Sequence, residues 1–146
     1  NVTAWPQAFK NAGWMVSGMG KVYQSGKPAH DDYPLSWSSE WPYFQPSNYS
    51  GNISNLSDSR FKDGMSTDVA VQRLSDFRHQ IDTDVAAGKV PRSFFLAVGI
   101  SLPHVPWVMP QKFLDMQPPV NTTDVAVHQL PPEGYCNISL YRCTVQ

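Results

Sequence analysis

Phe94-Phe95-Leu96-Ala97-Val98-Gly99-Ile100-Ser101-Leu102-Pro103-His104-Val105-Pro106-Trp107 is the stretch on which the reading of the fold turns. It opens with a short apolar run and stops at a histidine set between two prolines. An apolar run without polar alternation suits a strand covered on both faces, as in a parallel sheet flanked by helices. Pro103 and Pro106 end the strand and restrict the backbone on either side of His104. Ligands of open α/β sheets collect just past the carboxyl ends of the strands, so His104 is a candidate functional ring. It is equally a ring that only bonds its own loop, and position alone does not choose between the two.

Working outward, residues 14–19 form a second apolar run of strand length, leading into Gly20-Lys21-Val22-Tyr23-Gln24. Before it, Trp5, Ala8, Phe9 and Ala12 recur at helical spacing, with Pro6 tolerable in a first turn and Gly13 suited to a helix end. Between the two strands lies the clearest helical pattern in the chain. Ser66 or Thr67 is expected to cap it, Asp68 to sit in its first turn, and Ala70, Val71, Leu74, Phe77, Ile81 and Val85 to share its buried face. Gly88 ends the pattern and Pro91 prevents a restart. A last short helix is expected over 111–117, opened by Pro110 and closed by Pro118 and Pro119. The order predicts an α/β class with a parallel sheet. Residues 25–64 show little periodicity and interleave Trp37, Trp41, Tyr43, Phe44 and Tyr49 with prolines. A long irregular stretch of this kind is usually functional, disordered or an insertion.

The 146 residues are enough for one ordinary domain, and 41% hydrophobic with 16% charged residues describes a globular chain. A net charge of −1 without a Lys/Arg cluster gives no footprint for nucleic acid. No apolar run has the length of a membrane span. There is no initiating Met, and Asn1 opens directly on a polar, helix-like segment, so the stretch is expected to start inside a longer protein. Six of the seven asparagines (Asn1, Asn48, Asn52, Asn55, Asn121 and Asn137) are followed two positions on by Ser or Thr. That pattern points to N-glycosylation and hence to a lysosomal or secreted protein. Cys136 and Cys143 suit the same compartment, either as a short disulfide or as two unpaired thiols.

Gly20-Lys21-Val22-Tyr23, the run Asp31-Asp32-Tyr33-Pro34-Leu35-Ser36-Trp37-Ser38, the pair Ser66-Thr67, and Phe94 to Gly99 followed by Pro103-His104-Val105-Pro106 together resemble an internal piece of a type I sulfatase of the alkaline-phosphatase superfamily. The resemblance runs over about 5–116, within a partial catalytic domain spanning 1–146, and leaves 117–146 as a divergent tail. It implies an incomplete alkaline-phosphatase-like α/β fold, a calcium ion, and hydrolysis of the sulfate ester of a glycosaminoglycan or another sulfated compound by a formylglycine.

Carried over by position, Lys21 matches the lysine that binds the sulfate, where a fixed cation offsets charge on the transferring group. His104 matches the histidine on the leaving-group side, a ring able to donate a proton. Asp32 matches a substrate-pocket acid, with a simple Asp31-Asp32 turn as the alternative. Gln24 stands where the family usually has a histidine; it can hydrogen-bond but cannot exchange a proton at neutral pH. The nucleophile motif and the calcium ligands of the family would lie before Asn1 and after Gln146. This stretch alone is therefore expected to be inactive. Other readings are a catalytically dead secreted glycoprotein that binds sulfated sugar, and a phosphodiesterase or phosphonate hydrolase of the same superfamily. If the two strands are parallel, Lys21 and His104 should leave the sheet at one edge, with Gln24 and Asp32 around the same crevice, His79 remote and His128 in the tail.

Overall fold

The computed structural model describes residues 2–24, 31–47, 56–105 and 108–118. The chain divides into Asn1–Leu114 and Asp115–Gln146, and of the second only 115–118 are among the described residues. All six glycosylation candidates, both cysteines, His128, Pro106 and Trp107 lie outside the described residues.

Helix α1 (Trp5–Asn11) has a proline in its first turn, and Gly13 just beyond it takes the left-handed conformation expected of a helix end. Strand β1 (Met15–Gly20) follows, and after a long connection helix α2 (Lys62–Ala86) leads to strand β2 (Phe94–Gly99) and the short helix α3 (Gln111–Asp115). Strands β1 and β2 pair in parallel, from Met15 with Phe94 to Gly20 with Gly99. This is the α/β arrangement that the order of elements predicts: a two-stranded parallel sheet with flanking helices.

Alternate residues of β2 meet different helices, as a pleated strand requires. Phe95 stacks on Phe9 of α1 at 4.6 Å between ring centroids, and Phe94 stacks on Phe77 of α2 at 5.1 Å. Phe77 is fully buried, joins Met15 and Trp41 in the core, and gathers Ile81 and Leu96 around it. Removing a side chain of that size from water contributes about 3 kcal/mol.

Three details differ from the sequence reading. First, α2 begins at Lys62, so Ser66 and Thr67 lie in its second turn and do not cap it. Ser66 is instead wholly buried under the sheet, and Thr67 returns its hydroxyl to the carbonyl of Asp63 at 2.8 Å. Second, the buried face of α2 runs through Ser66, Ala70, Phe77 and Asp84, which recur at helical spacing, while Val71, Leu74 and Val85 are exposed. Among the described residues, α2 packs against the two strands and the 3₁₀ turn Asp58–Arg60 that precedes it. Third, the completely buried strand is β1. In β2, Phe94 is 40% and Val98 44% exposed.

The irregular connection explains the burial of β1. Ser38 N–H donates to the Val16 carbonyl and Ser38 Oγ accepts from Val16 N–H, both at 2.9 Å. Farther along, Phe44 exchanges hydrogen bonds with Gly18 O and Gly20 N–H and forms a parallel bridge with Met19. The connection therefore satisfies the edge of β1 that faces away from β2, as a further strand would. Trp37 lies directly over Gly18, where a Cβ would come within 2.4 Å of its ring.

Candidate functional site

Both strands end in glycine, and that pair shapes the carboxyl edge of the sheet. Gly20 has φ +75°, and a Cβ there would lie 2.0 Å from the carbonyl oxygen of Gly99. Only glycine permits both the left-handed backbone and the close approach. The approach lets Lys21 N–H donate to Gly99 O at 2.9 Å. On the other side, the Tyr43 hydroxyl donates to Gly20 O and accepts from Val22 N–H. Burial pushes the Tyr43 phenol above its ordinary value, which keeps that donor protonated. The backbone of Lys21 is thus fixed while its side chain projects, exposed, and donates from Nζ to Gln24 Oε1 at 3.2 Å.

At the end of β2 the chain turns at once, His104 N–H donating to Ser101 O at 3.0 Å. The His104 ring places Nδ1 2.6 Å from the Val105 carbonyl. A carbonyl oxygen can only accept, so Nδ1 carries a proton and Nε2 is the nitrogen left for other chemistry. The two readings of His104 are therefore not exclusive: the ring bonds its own loop and also lines a crevice.

That crevice, of about 730 Å³, brings Lys21, Gln24 and His104 together at the carboxyl edge of the sheet. The first turn of α2 contributes Lys62, Asp63 and Gly64, and Phe61, Met109, Pro110 and Phe113 supply an apolar wall. Lys112 ties α3 to the 3₁₀ turn Asp58–Arg60 through an ion pair with Asp58 at 2.7 Å. Asp32 is not among the lining residues. It has φ +60°, its carbonyl accepts from Leu35 and Ser36 N–H, and its carboxylate accepts from the Ser36 hydroxyl, while Asp31 Oδ1 accepts from Tyr33 N–H at 3.0 Å. These are the bonds of a turn. His79 lies with Val71, Leu74 and Arg78 in a shallow depression on α2, which shares no residue with the crevice.

The sequence reading missed Asp63, whose carboxylate accepts from two successive backbone N–H groups, Ser101 at 2.7 Å and Leu102 at 3.0 Å. With the helix start placed at Ser66, Asp63 reads as a loop residue. The signal that could have found it is an acid suited to the first turn of a helix beginning four residues earlier.

Calcium, implied by the family resemblance, takes six to eight oxygen ligands. Among the described residues no three His, Cys, Asp or Glu side chains converge on a cation site. Of the three acids that line the crevice, Asp58, Asp63 and Asp68, the first is engaged by Lys112 and the second by backbone N–H groups. The described residues do not fit the ion. No helix among the described residues is long and apolar enough to cross a membrane.

The chain is 32% identical to mouse (Mus musculus) iduronate 2-sulfatase and 28% identical to the human (Homo sapiens) protein, each over 92% of its own length. It spans 27% of the length of these relatives. No protein-family model matches the chain, and no solved structure matches it. The chain is thus similar to the iduronate 2-sulfatases along about a quarter of their length, and its two parallel strands with flanking helices have an α/β architecture consistent with part of a sulfatase fold.

Proposed function

We propose that this stretch serves a sulfuric ester hydrolase of a lysosomal or secreted compartment, where it holds the sulfated end of a glycan. The observation that carries the reading is that Lys21 and His104, separated by more than eighty positions in sequence, line one crevice at the carboxyl edge of a parallel sheet. Lys21 supplies a cation that offsets the charge of the sulfate oxygens. His104, with Nδ1–H held by Val105 O, is the proton donor to the leaving oxygen when Nε2 is also protonated. Gln24 is a neutral hydrogen-bonding partner beside the lysine. The nucleophile and calcium of such an enzyme come from sequence outside this chain, so the chain by itself turns over no aryl sulfate. One observation favours a second reading, a binder of sulfated sugar without turnover: Gln24, the neighbour of Lys21, cannot relay a proton.

The test is an NMR titration of the chain with a sulfated uronic-acid disaccharide and with its desulfated counterpart. Resonances of Lys21, Gln24 and His104 should move with the sulfated sugar only, and Lys21→Ala should weaken binding about tenfold, as loss of a charge-assisted contact implies. Equal response to both sugars, or shifts confined to the depression around His79, overturns the reading. A phosphate monoester that binds as tightly as the sulfate ester points to the phosphate-cleaving branch of the superfamily. In the full-length protein, binding without hydrolysis selects the second reading.

A further inference from the structure

Nothing in the chemistry of the crevice explains why the loop after β2 holds its shape, because His104 and its neighbours are exposed and the loop has no strand beyond it among the described residues. The explanation lies one element away. Asp63 occupies the first turn of α2, where the partial positive charge of a helix N-terminus favours a carboxylate. Its Oδ1 accepts from Ser101 N–H at 2.7 Å and its Oδ2 from Leu102 N–H at 3.0 Å, two successive groups that the end of the strand leaves without a ladder partner. Hydrogen bonds to an ionised acceptor are stronger than neutral ones, and a two-pronged clamp fixes orientation as well as distance. Ser101 then passes the constraint on, since its carbonyl accepts from His104 N–H at 3.0 Å. The clamp is also closely packed: Gly64, the next residue, lies so near the 3₁₀ turn that a Cβ would be 1.9 Å from Asp58 O.

We infer that Asp63 is the positioning residue of the His104 loop: through Ser101 it sets the loop conformation in which the His104 ring keeps its proton on Nδ1 against Val105 O and leaves Nε2 for the ligand. The inference rests on the reading of His104 as a sulfate-contacting ring, and its consequences separate from that reading. Asp63 lines the same crevice, but both of its carboxylate oxygens are engaged by the N–H groups of Ser101 and Leu102. It acts through two backbone hydrogen bonds, which predicts an effect on the tautomer of a ring it never contacts.

The experiment is ¹⁵N NMR of the histidine rings in the wild-type chain and in Asp63→Asn and Asp63→Glu, with His104→Gln for assignment. In the wild type, His104 should show the Nδ1–H tautomer, and the amides of Ser101 and Leu102 should be protected from hydrogen exchange. Asn offers one acceptor where Asp offers two, so Asp63→Asn should move His104 toward the usual Nε2–H mixture and weaken binding of the sulfated disaccharide about tenfold, with Glu recovering part of both. A folded Asp63→Asn chain with an unchanged His104 tautomer overturns the inference. Wild-type Ser101 and Leu102 amides that exchange like free loop also overturn it, without needing any variant to fold. A tautomer that shifts while affinity does not supports the role of Asp63 and removes His104 from the sulfate site instead.

Discussion

Strands β1 and β2 are each six residues long and pair residue for residue, yet one is completely buried and the other half exposed. Their sequences suggest the reverse. Phe94-Phe95-Leu96-Ala97-Val98-Gly99 is the more apolar of the two, whereas Met15-Val16-Ser17-Gly18-Met19-Gly20 holds a serine and two glycines. The difference is one of neighbours. Strand β1 has β2 on one edge and the Ser38 and Phe44 backbone on the other, with Trp37 over Gly18 and α2 beneath. Strand β2 has β1 on one edge only among the described residues. Apolar composition makes burial favourable, but coverage supplies it.

The comparison breaks most severely if its cover is removed. Trp37→Ala should cost about 3–5 kcal/mol, as large aromatic truncations in a core do, whereas Trp5→Ala, at a residue 78% exposed, should stay within about 0.5 kcal/mol. Urea unfolding of the two variants checks this, and equal losses would mean that the connection does not cover β1. The same truncation placed on each strand gives a smaller and sharper contrast. Val16→Ala, at a residue with no exposed surface, should lose about 1.5–3 kcal/mol, and Val98→Ala less than about 1 kcal/mol.

The smallest expected effect concerns the entry to β2. Asp84, near the end of α2, accepts from Gln80 Nε2 at 3.0 Å and pairs with Arg92, two residues before the strand, at 3.5 Å. The Gln80 amide first, and then the backbone N–H and guanidinium of Arg92, hold this carboxyl below its ordinary value. A depressed folded value means that the contribution is complete above the unfolded value of about 3.9 and is lost as pH falls through the lower folded one. Acid titration of stability should therefore be shallower in Asp84→Asn than in the wild type below about pH 4. Identical slopes would show that the contact does not contribute.

Asp84 and Asp63 bracket β2 from the two ends of one helix. Asp84 fastens the chain entering the strand and Asp63 the chain leaving it. Neither contact was legible in the sequence, because each joins a helical acid to a residue whose neighbour in space depends on how helix and strand are packed. Lys21 and His104 were legible, since each stands just past a strand-like run that ends in Gly or Pro. Gln24 beside Lys21 follows from their spacing of three. For Asp32 the residue types permitted a pocket acid or a turn; its left-handed backbone and local hydrogen bonds are those of a turn, and it is not among the residues lining the crevice.

By itself, the sequence determined the order and type of the elements: helical periodicity, apolar runs and Gly or Pro punctuation are local properties, readable without knowing what lies across the fold. It also determined that the sheet is parallel, since a helix between two strands returns the chain to the same edge. The tertiary structure decided which strand is buried, where α2 begins, which of its faces turns inward and which acid clamps the His104 loop. Those depend on contacts between residues far apart in sequence, from Ser38 on Val16 to Asp63 on Ser101, whose energies exist only once the chain has brought the partners together.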